Sequence, residues 1–253
     1  MSEKKKDYAA ILKARKFDFT KPVVQDKIYF TIKTNVIGTA GNFITLSGLP
    51  KAGKSTFIAA IISSAISGNE VFSFKIHTHQ DKPNICLFDT EQGLYDFNRQ
   101  TKRIKGLAGT NDIYKKFDAF LLREDNSYDI LHLIDTYLKE NPKCGIIIID
   151  GILDCIDNMN DEGASKRLIR VLKRWATKHD ILIITVLHLG KKDLSSIGHI
   201  GSASDRYSQS TLLIEKTKDG RYTCASKYLR SAKDFDTIEI WYDPIQENYS
   251  QIN

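Results

Sequence analysis

The sequence predicts an α/β fold, a mainly parallel twisted sheet flanked by helices with a C-terminal antiparallel β extension. Three observations carry this expectation. Short apolar runs alternate with helix-period segments from about residue 43 to residue 188, the pattern of repeated strand–helix–strand units. The run "CGIIIID", ending at Asp150, is β-branched and shows no alternation, as expected of a strand covered on both faces. After about Thr211 the helical spacing stops and strand-like runs follow one another.

The elements can be taken in order. Tyr8 to Lys16 reads as a short helix within an N-terminal segment, residues 1–26. No Pro/Gly/Ser-rich linker divides the rest, so residues 27–253 read as one domain. "KIYFTI" is strand-like, and "GTAGNFITLSG" is a turn followed by a strand. Phe57, Ile58, Ile61, Ile62 and Ala65 then keep helical spacing. "NICLFD" is too short for a helix and is bounded by Pro83, so it reads as a buried strand. Leu94 to Leu107 is helical, "DAFLLRE" a strand, and Tyr128 to Glu140 an amphipathic helix. In Gly163 to Lys178, Leu168, Val171, Leu172 and Trp175 form an apolar stripe, with Lys166, Arg167, Arg170, Lys173 and Arg174 around it. "DILIITVLH" is another buried strand. "STLLIEKT", "YTCASKYL" and "DTIEIWYD" form the antiparallel extension.

Composition narrows the class. With 253 residues and 42% hydrophobic content, the chain can bury a large core. No apolar run approaches the roughly 20 residues of a membrane span, and the charged start "MSEKKKDYAA" has no apolar signal core behind it. A cytoplasmic protein without a membrane partner is expected. Cys86, Cys144, Cys155 and Cys224 are scattered, which argues against a zinc cluster and a disulfide framework. His77 and His79 lack an evident third ligand and read as a polar loop. The net charge of +6 is compatible with a polyanionic partner.

The chemistry is concentrated in "ITLSGLPKAGKSTF". Gly48, Gly53, Lys54 and Ser55 fit G-x-x-x-x-G-K-[ST] at every fixed position. At average residue usage a chain of this length matches by chance roughly 1% of the time, and the required strand before and helix after are both present. Such a loop curls its backbone N–H groups toward phosphate oxygens, and the following helix adds its positive end. Gly48, Pro50, Lys51, Ala52, Gly53, Lys54, Ser55 and Thr56 are therefore the candidate nucleotide site for ATP. Lys54 would bridge the β- and γ-phosphates, Ser55 would ligate Mg²⁺, and Thr56 offers a hydroxyl toward the α-phosphate. Asp150, closing its isoleucine strand, is the candidate second Mg²⁺ residue. Gly151 follows it where many such enzymes carry a catalytic glutamate, so the water-activating carboxylate must lie elsewhere. Asp89 and Glu91, at the end of the strand after the phosphate-loop helix, are on the ligand side of a parallel sheet, and Glu91 is placed to face the γ-phosphate.

Together these residues resemble the RecA-like branch of P-loop ATPases, which includes RecA recombinases, DnaB-type replicative helicases and the plasmid helicase RepA. The compact RepA-like group is nearest in size. The resemblance implies that Glu91 in "FDTEQGL" is the water-activating base and that Asp150 sits on the Mg²⁺ side. It also implies that His188 in "TVLHLGKK" senses the γ-phosphate. It further implies a basic pair that reaches the neighbouring subunit's ATP, here Lys227 and Arg230. Their K-x-x-R spacing would put them on opposite faces of an unbroken strand.

Members of this branch assemble as rings, hexamers among them, or as filaments. In the helicases the loop after the sensor strand contacts single-stranded DNA. That loop is about Gly190 to Asp205 here, and Lys191 and Lys192 are its phosphate-binding candidates. The resemblance implies a DNA-handling ATP-driven motor for replication or mobilisation of a plasmid or mobile element. A KaiC-like regulatory ATPase that switches protein partners is the alternative. A small-molecule kinase is a third class, disfavoured by Glu91 with His188 and by the lack of an evident acceptor lid.

Overall fold

The structure, a computed structural model, describes residues 7–190, 197–243 and 248–252. In chain order its elements are α1 (Tyr8–Arg15), β1 (Ile28–Ile32), β2 (Asn35–Thr39), β3 (Phe43–Gly48), α2 (Lys54–Ser67), β4 (Phe74–Ile76), β5 (Asn84–Asp89) and α3 (Leu94–Ala108). There follow β6 (Phe117–Leu121), α4 (Ser127–Glu140), β7 (Cys144–Asp150), a short 3₁₀ turn (Ile152–Cys155), α5 (Glu162–His179) and β8 (Leu182–His188). The chain continues with α6 (Gly198–Tyr207), β9 (Ser210–Lys216), β10 (Tyr222–Leu229), β11 (Ile238–Asp243) and β12 (Asn248–Ile252).

Nine strands form one sheet in the order β12-β11-β10-β9-β3-β8-β7-β5-β6, and β2-β1-β4 form a small second sheet. From β6 to β9 every pairing is parallel; β10, β11 and β12 add antiparallel. The expected fold class is thus observed, with one adjustment. The sequence pattern makes β9 the first antiparallel strand, but it pairs parallel with β3. The helix α6 between β8 and β9 makes a further crossover unit, and a crossover returns its strand parallel.

That helix reads as part of a loop in the sequence. Glycines and serines at 198, 201, 202 and 204 are weak helix formers. Burial overrides the propensity, since Ile200, Gly201 and Ser204 lie inside. β2, β4 and β12 are likewise not foreshadowed, being short runs with little apolar periodicity.

The large sheet has a core on each face. On one side α2 is buried along almost its whole length, only Ser55 and Ser67 escaping, because α3 and the small sheet cover it. Phe74 of the small sheet meets Phe57 of α2 with ring centroids 5.6 Å apart. The hydroxyls this buries have partners: Ser63 donates to Ile104 O at 3.0 Å, as a buried polar group must. On the other side Leu168, Leu172 and Trp175 of α5 pack under the sheet, and Trp175 Nε1 donates to Asp135 of α4 at 2.8 Å. All four cysteines are free and buried. His77 bonds Thr31 and His79 bonds the Ile28 carbonyl. No metal-ligand cluster exists among the described residues. No helix among them is long and apolar enough to cross a membrane.

Candidate active site

Strand register brings the separated candidates together. β3 and β8 align Gly48 with His188, and β5 and β7 align Asp89 with Asp150. β8 lies between β3 and β7. The carboxyl ends of four adjacent strands therefore present the phosphate loop, His188, Asp150 and the Glu91 segment on one side, where open α/β sheets bind ligands.

The loop itself is curled by left-handed backbone at Lys51 (φ 64°) and Gly53 (φ 93°). Gly53 opens α2 without a side-chain cap, leaving the helix's first N–H groups for another acceptor. A Cβ at Gly53 would fall 2.4 Å from the ring of Tyr222 on β10. The extension thus supplies an aromatic wall to the loop. Tyr249 stands behind it, ring centroids 5.9 Å apart, with the Arg103 guanidinium 5.0 Å over Tyr249. Nothing in the local sequence singles out Tyr222, which reaches the site only through the pairing of β9 with β3.

Lys54 is buried, 7% exposed. Its ammonium donates to Gly48 O at 3.1 Å and Leu49 O at 2.9 Å, and lies 3.1 Å from His188 Nδ1. An ammonium has only donors, so Nδ1 is the acceptor and the imidazole proton sits on Nε2. That nitrogen donates to Glu91 Oε1 at 2.7 Å. The hydrogen bond from His188 holds the Glu91 carboxyl below its ordinary value, aided by the nearby Lys54 charge and opposed by burial. Burial lowers Lys54, against the attraction of Glu91 and Asp150. Three sequence-distant candidates thus form one hydrogen-bonded chain.

The Glu91 segment is anchored by Asp89, which is fully buried. Asp89 accepts the backbone N–H groups of Glu91 at 3.0 Å and Gln92 at 2.8 Å, and the Gln92 amide at 2.7 Å. Of the two carboxylates in this stretch, Asp89 therefore builds the turn and Glu91 faces the site. Asp150 is 5% exposed. Burial first, then Asp89 and Glu91, push it well above the usual carboxylate range.

Gly151 explains why no acid follows Asp150. Its φ is 102°, and a Cβ there would lie 2.0 Å from Thr90 Oγ1. Thr90 is bound in that position by the Asp150 carbonyl at 2.9 Å and Asp154 at 2.6 Å. A glutamate at 151 would collide with the segment that carries Glu91. Gly151→Ala is expected to cost about 1–3 kcal/mol from the strained backbone alone, read as a lower denaturation midpoint, with hydrolysis falling as Thr90 and Glu91 are displaced. Wild-type stability would show that Thr90 moves aside freely.

The other candidates fall elsewhere. Thr56 is buried and Ser55 partly exposed at the start of α2. Lys191 and Lys192 lie outside the described residues. Lys227 bonds Asp205 at 2.9 Å, and Arg230 reaches the Arg206 carbonyl at 3.5 Å. Both partners belong to α6, so the pair shares one side of the sheet, contrary to the expectation from spacing. The reason is a register shift between Ser226 and Tyr228, since a bulge resets the alternation of a strand. The pair is remote from its own phosphate loop: Leu229 aligns with Ser210 at the start of β9, whereas Gly48 aligns with Ile214 further along.

Residues 33–193, which include the phosphate loop, Glu91, Asp150 and His188, match the AAA domain family. The chain belongs to that family. Its fold is that of a RecA-like P-loop ATPase. The solved ATPase domain of a helicase is similar with a TM-score of 0.58 at 14% identity, covering 84% of this chain and 85% of that one. The RadB recombinase structure is similar with a TM-score of 0.58 at 12% identity, covering 85% of this chain and 92% of that one. At such identities the likeness is one of fold. No curated protein sequence is significantly similar to this AAA-domain chain.

Proposed function

We propose that this RecA-like ATPase binds ATP with Mg²⁺ and couples hydrolysis to work on single-stranded DNA, in replication or mobilisation of a plasmid or mobile element. The observation that carries the reading is the Lys54–His188–Glu91 chain set beside Asp150. A phosphate-binding cation, a γ-phosphate sensor and a base are linked before any nucleotide enters.

The residues fit both ligands. Among the described residues no hydrogen bond reaches the Asp150 carboxylate, although it is buried. A buried carboxylate without a donor suits the hydrated shell of a divalent cation, with Ser55 the matching hydroxyl. The loop from Gly48 through Pro50, Lys51, Ala52 and Gly53 would cradle the phosphates through its backbone. Lys54 would leave its carbonyl acceptors for the β- and γ-phosphates, His188 would read the γ-phosphate, and Glu91 would take the proton of the attacking water. Mg²⁺ would supply charge stabilisation at the transferring phosphoryl group. Lys227 and Arg230, too far from their own loop, would serve the ATP of a neighbouring copy, which makes an oligomer, a hexameric ring among the forms, the active unit.

The test is ATP turnover with and without single-stranded DNA at low and at physiological salt. Stimulation is expected, with DNA binding that weakens steeply as salt rises, because phosphate contacts release counterions. Turnover indifferent to every nucleic acid would remove the motor and leave a KaiC-like switch acting on protein partners.

A further inference from the structure

We propose that the N-terminal arm of one copy, residues 7–26, docks its apolar side chains into the groove at the start of α3 on a second copy. This rests on the reading of the active unit as an assembly, and names the surfaces that build it.

The arm buries nothing. α1 has no buried residue, and along residues 7–26 only Ile11 is even partly covered. Leu12, Phe19, Val23 and Val24 are 73%, 89%, 77% and 87% exposed. Phe17 and Phe19 touch each other edge to face, centroids 4.9 Å apart. An isolated helix shorter than about 12 residues is marginal in water, so the eight residues of α1 need a surface to lie on. A run of exposed apolar side chains of this kind marks an interaction segment.

The same chain carries a matching surface. Leu94 and Tyr95, 76% and 77% exposed, line a mainly apolar groove with Phe97, Asn98 and Thr101. All of that lining is α3, so the chain's own arm is not in it.

The placement of the two surfaces favours a second copy. The arm is rooted by Lys27, whose ammonium bonds Asp81 at 2.6 Å and Asp180 at 3.0 Å. Those two aspartates precede β5 and β8, at the amino ends of the strands. The groove begins just beyond the carboxyl end of β5. Six strand residues separate the two ends by about 20 Å. Two different surfaces at opposite ends of the sheet give a head-to-tail contact, the kind that closes into rings or extends into filaments. The arm's length approaches the roughly 20–30 residues a side of a standard interface. Leu94 follows Glu91 by three positions through Gln92 and Gly93, so an arm seated there would also fix the segment that carries the base.

Two variants test the pairing: an arm variant, Phe17→Asp with Phe19→Asp, and a groove variant, Leu94→Asp with Tyr95→Asp. Particle mass is measured by light scattering with a non-hydrolysable ATP analogue. The wild type is expected to assemble beyond a dimer, and each variant to stay monomeric. An equimolar mixture should give a complex of two chains and nothing larger. The groove variant's intact arm enters the arm variant's intact groove, and neither can extend further. Formation of that complex also shows that both variants are folded. Val23→Asp with Val24→Asp repeats the arm test independently. Either variant assembling like the wild type, or variants with wild-type melting curves that stay monomeric when mixed, would overturn the pairing while leaving assembly standing. A wild type that stays monomeric with nucleotide at every concentration would overturn the assembly reading itself, and the pairing with it.

Discussion

A Glu91→Gln variant should bind ATP as the wild type does and hydrolyse it about 10²–10⁴-fold more slowly. Gln keeps the length of the side chain, and its carbonyl can still accept the His188 Nε2–H bond that now ends on Glu91 Oε1 at 2.7 Å. The phosphate loop and Lys54 are untouched, so affinity for a fluorescent ATP analogue should hold. What is lost is the basic carboxylate. Because the His188 hydrogen bond lowers its proton affinity, Glu91 stays ionised to lower pH than a solvated glutamate. The acid limb of turnover should therefore lie below the ordinary value of 4.5. The linked stability has the same sign: it is present above the unfolded-state value and is lost as pH falls through the lower folded-state one. Near-normal turnover by the Gln variant would take the base assignment away from Glu91.

The phosphate loop was legible in the sequence because almost every position in it answers to one constraint: curl, approach or charge. Asp150, Glu91 and His188 were legible for a different reason. Each closes or closely follows an apolar run, and parallel strands put their carboxyl ends on one side. The absence of an acid after Asp150 was informative, and its cause is steric, the 2.0 Å approach of Thr90 to any Cβ at Gly151. Features that depend on lateral register left no local trace. Tyr222 reaches the loop only because β9 lies beside β3. Lys227 and Arg230 share a side only because the ladder slips between Ser226 and Tyr228. α6 was hidden by its own composition, since its stability comes from what it packs on. Hydrophobic periodicity reports which face of an element is buried, but not which neighbour covers it.

Asp150→Asn should move activity and stability in opposite directions. Asp150 is buried close to Asp89 and Glu91, and all three causes raise its proton affinity in the folded chain. The sign follows. A folded-state value above the unfolded one gives stability that is full at low pH and is lost as pH rises through the folded value. Near neutral pH an ionised Asp150 therefore weighs against folding unless a cation neutralises it. Asn keeps the shape and removes the charge. Without nucleotide, the variant is expected to gain about 0.5–2 kcal/mol, or roughly 2–6 °C in melting temperature. Turnover is expected to fall by at least about 10²-fold, because the metal's stabilisation of the transferring phosphoryl group is worth several kcal/mol. Mg²⁺ with a non-hydrolysable ATP analogue should stabilise the wild type more than the variant, by mass action on the folded state. A melting temperature that drops on substitution would mean that protein donors already satisfy the Asp150 carboxylate. A metal would then have no reason to sit there, and the strand end would be a structural one. A rise accompanied by lost hydrolysis would instead identify Asp150 as a charge kept at a cost to the fold for the sake of the ion it holds.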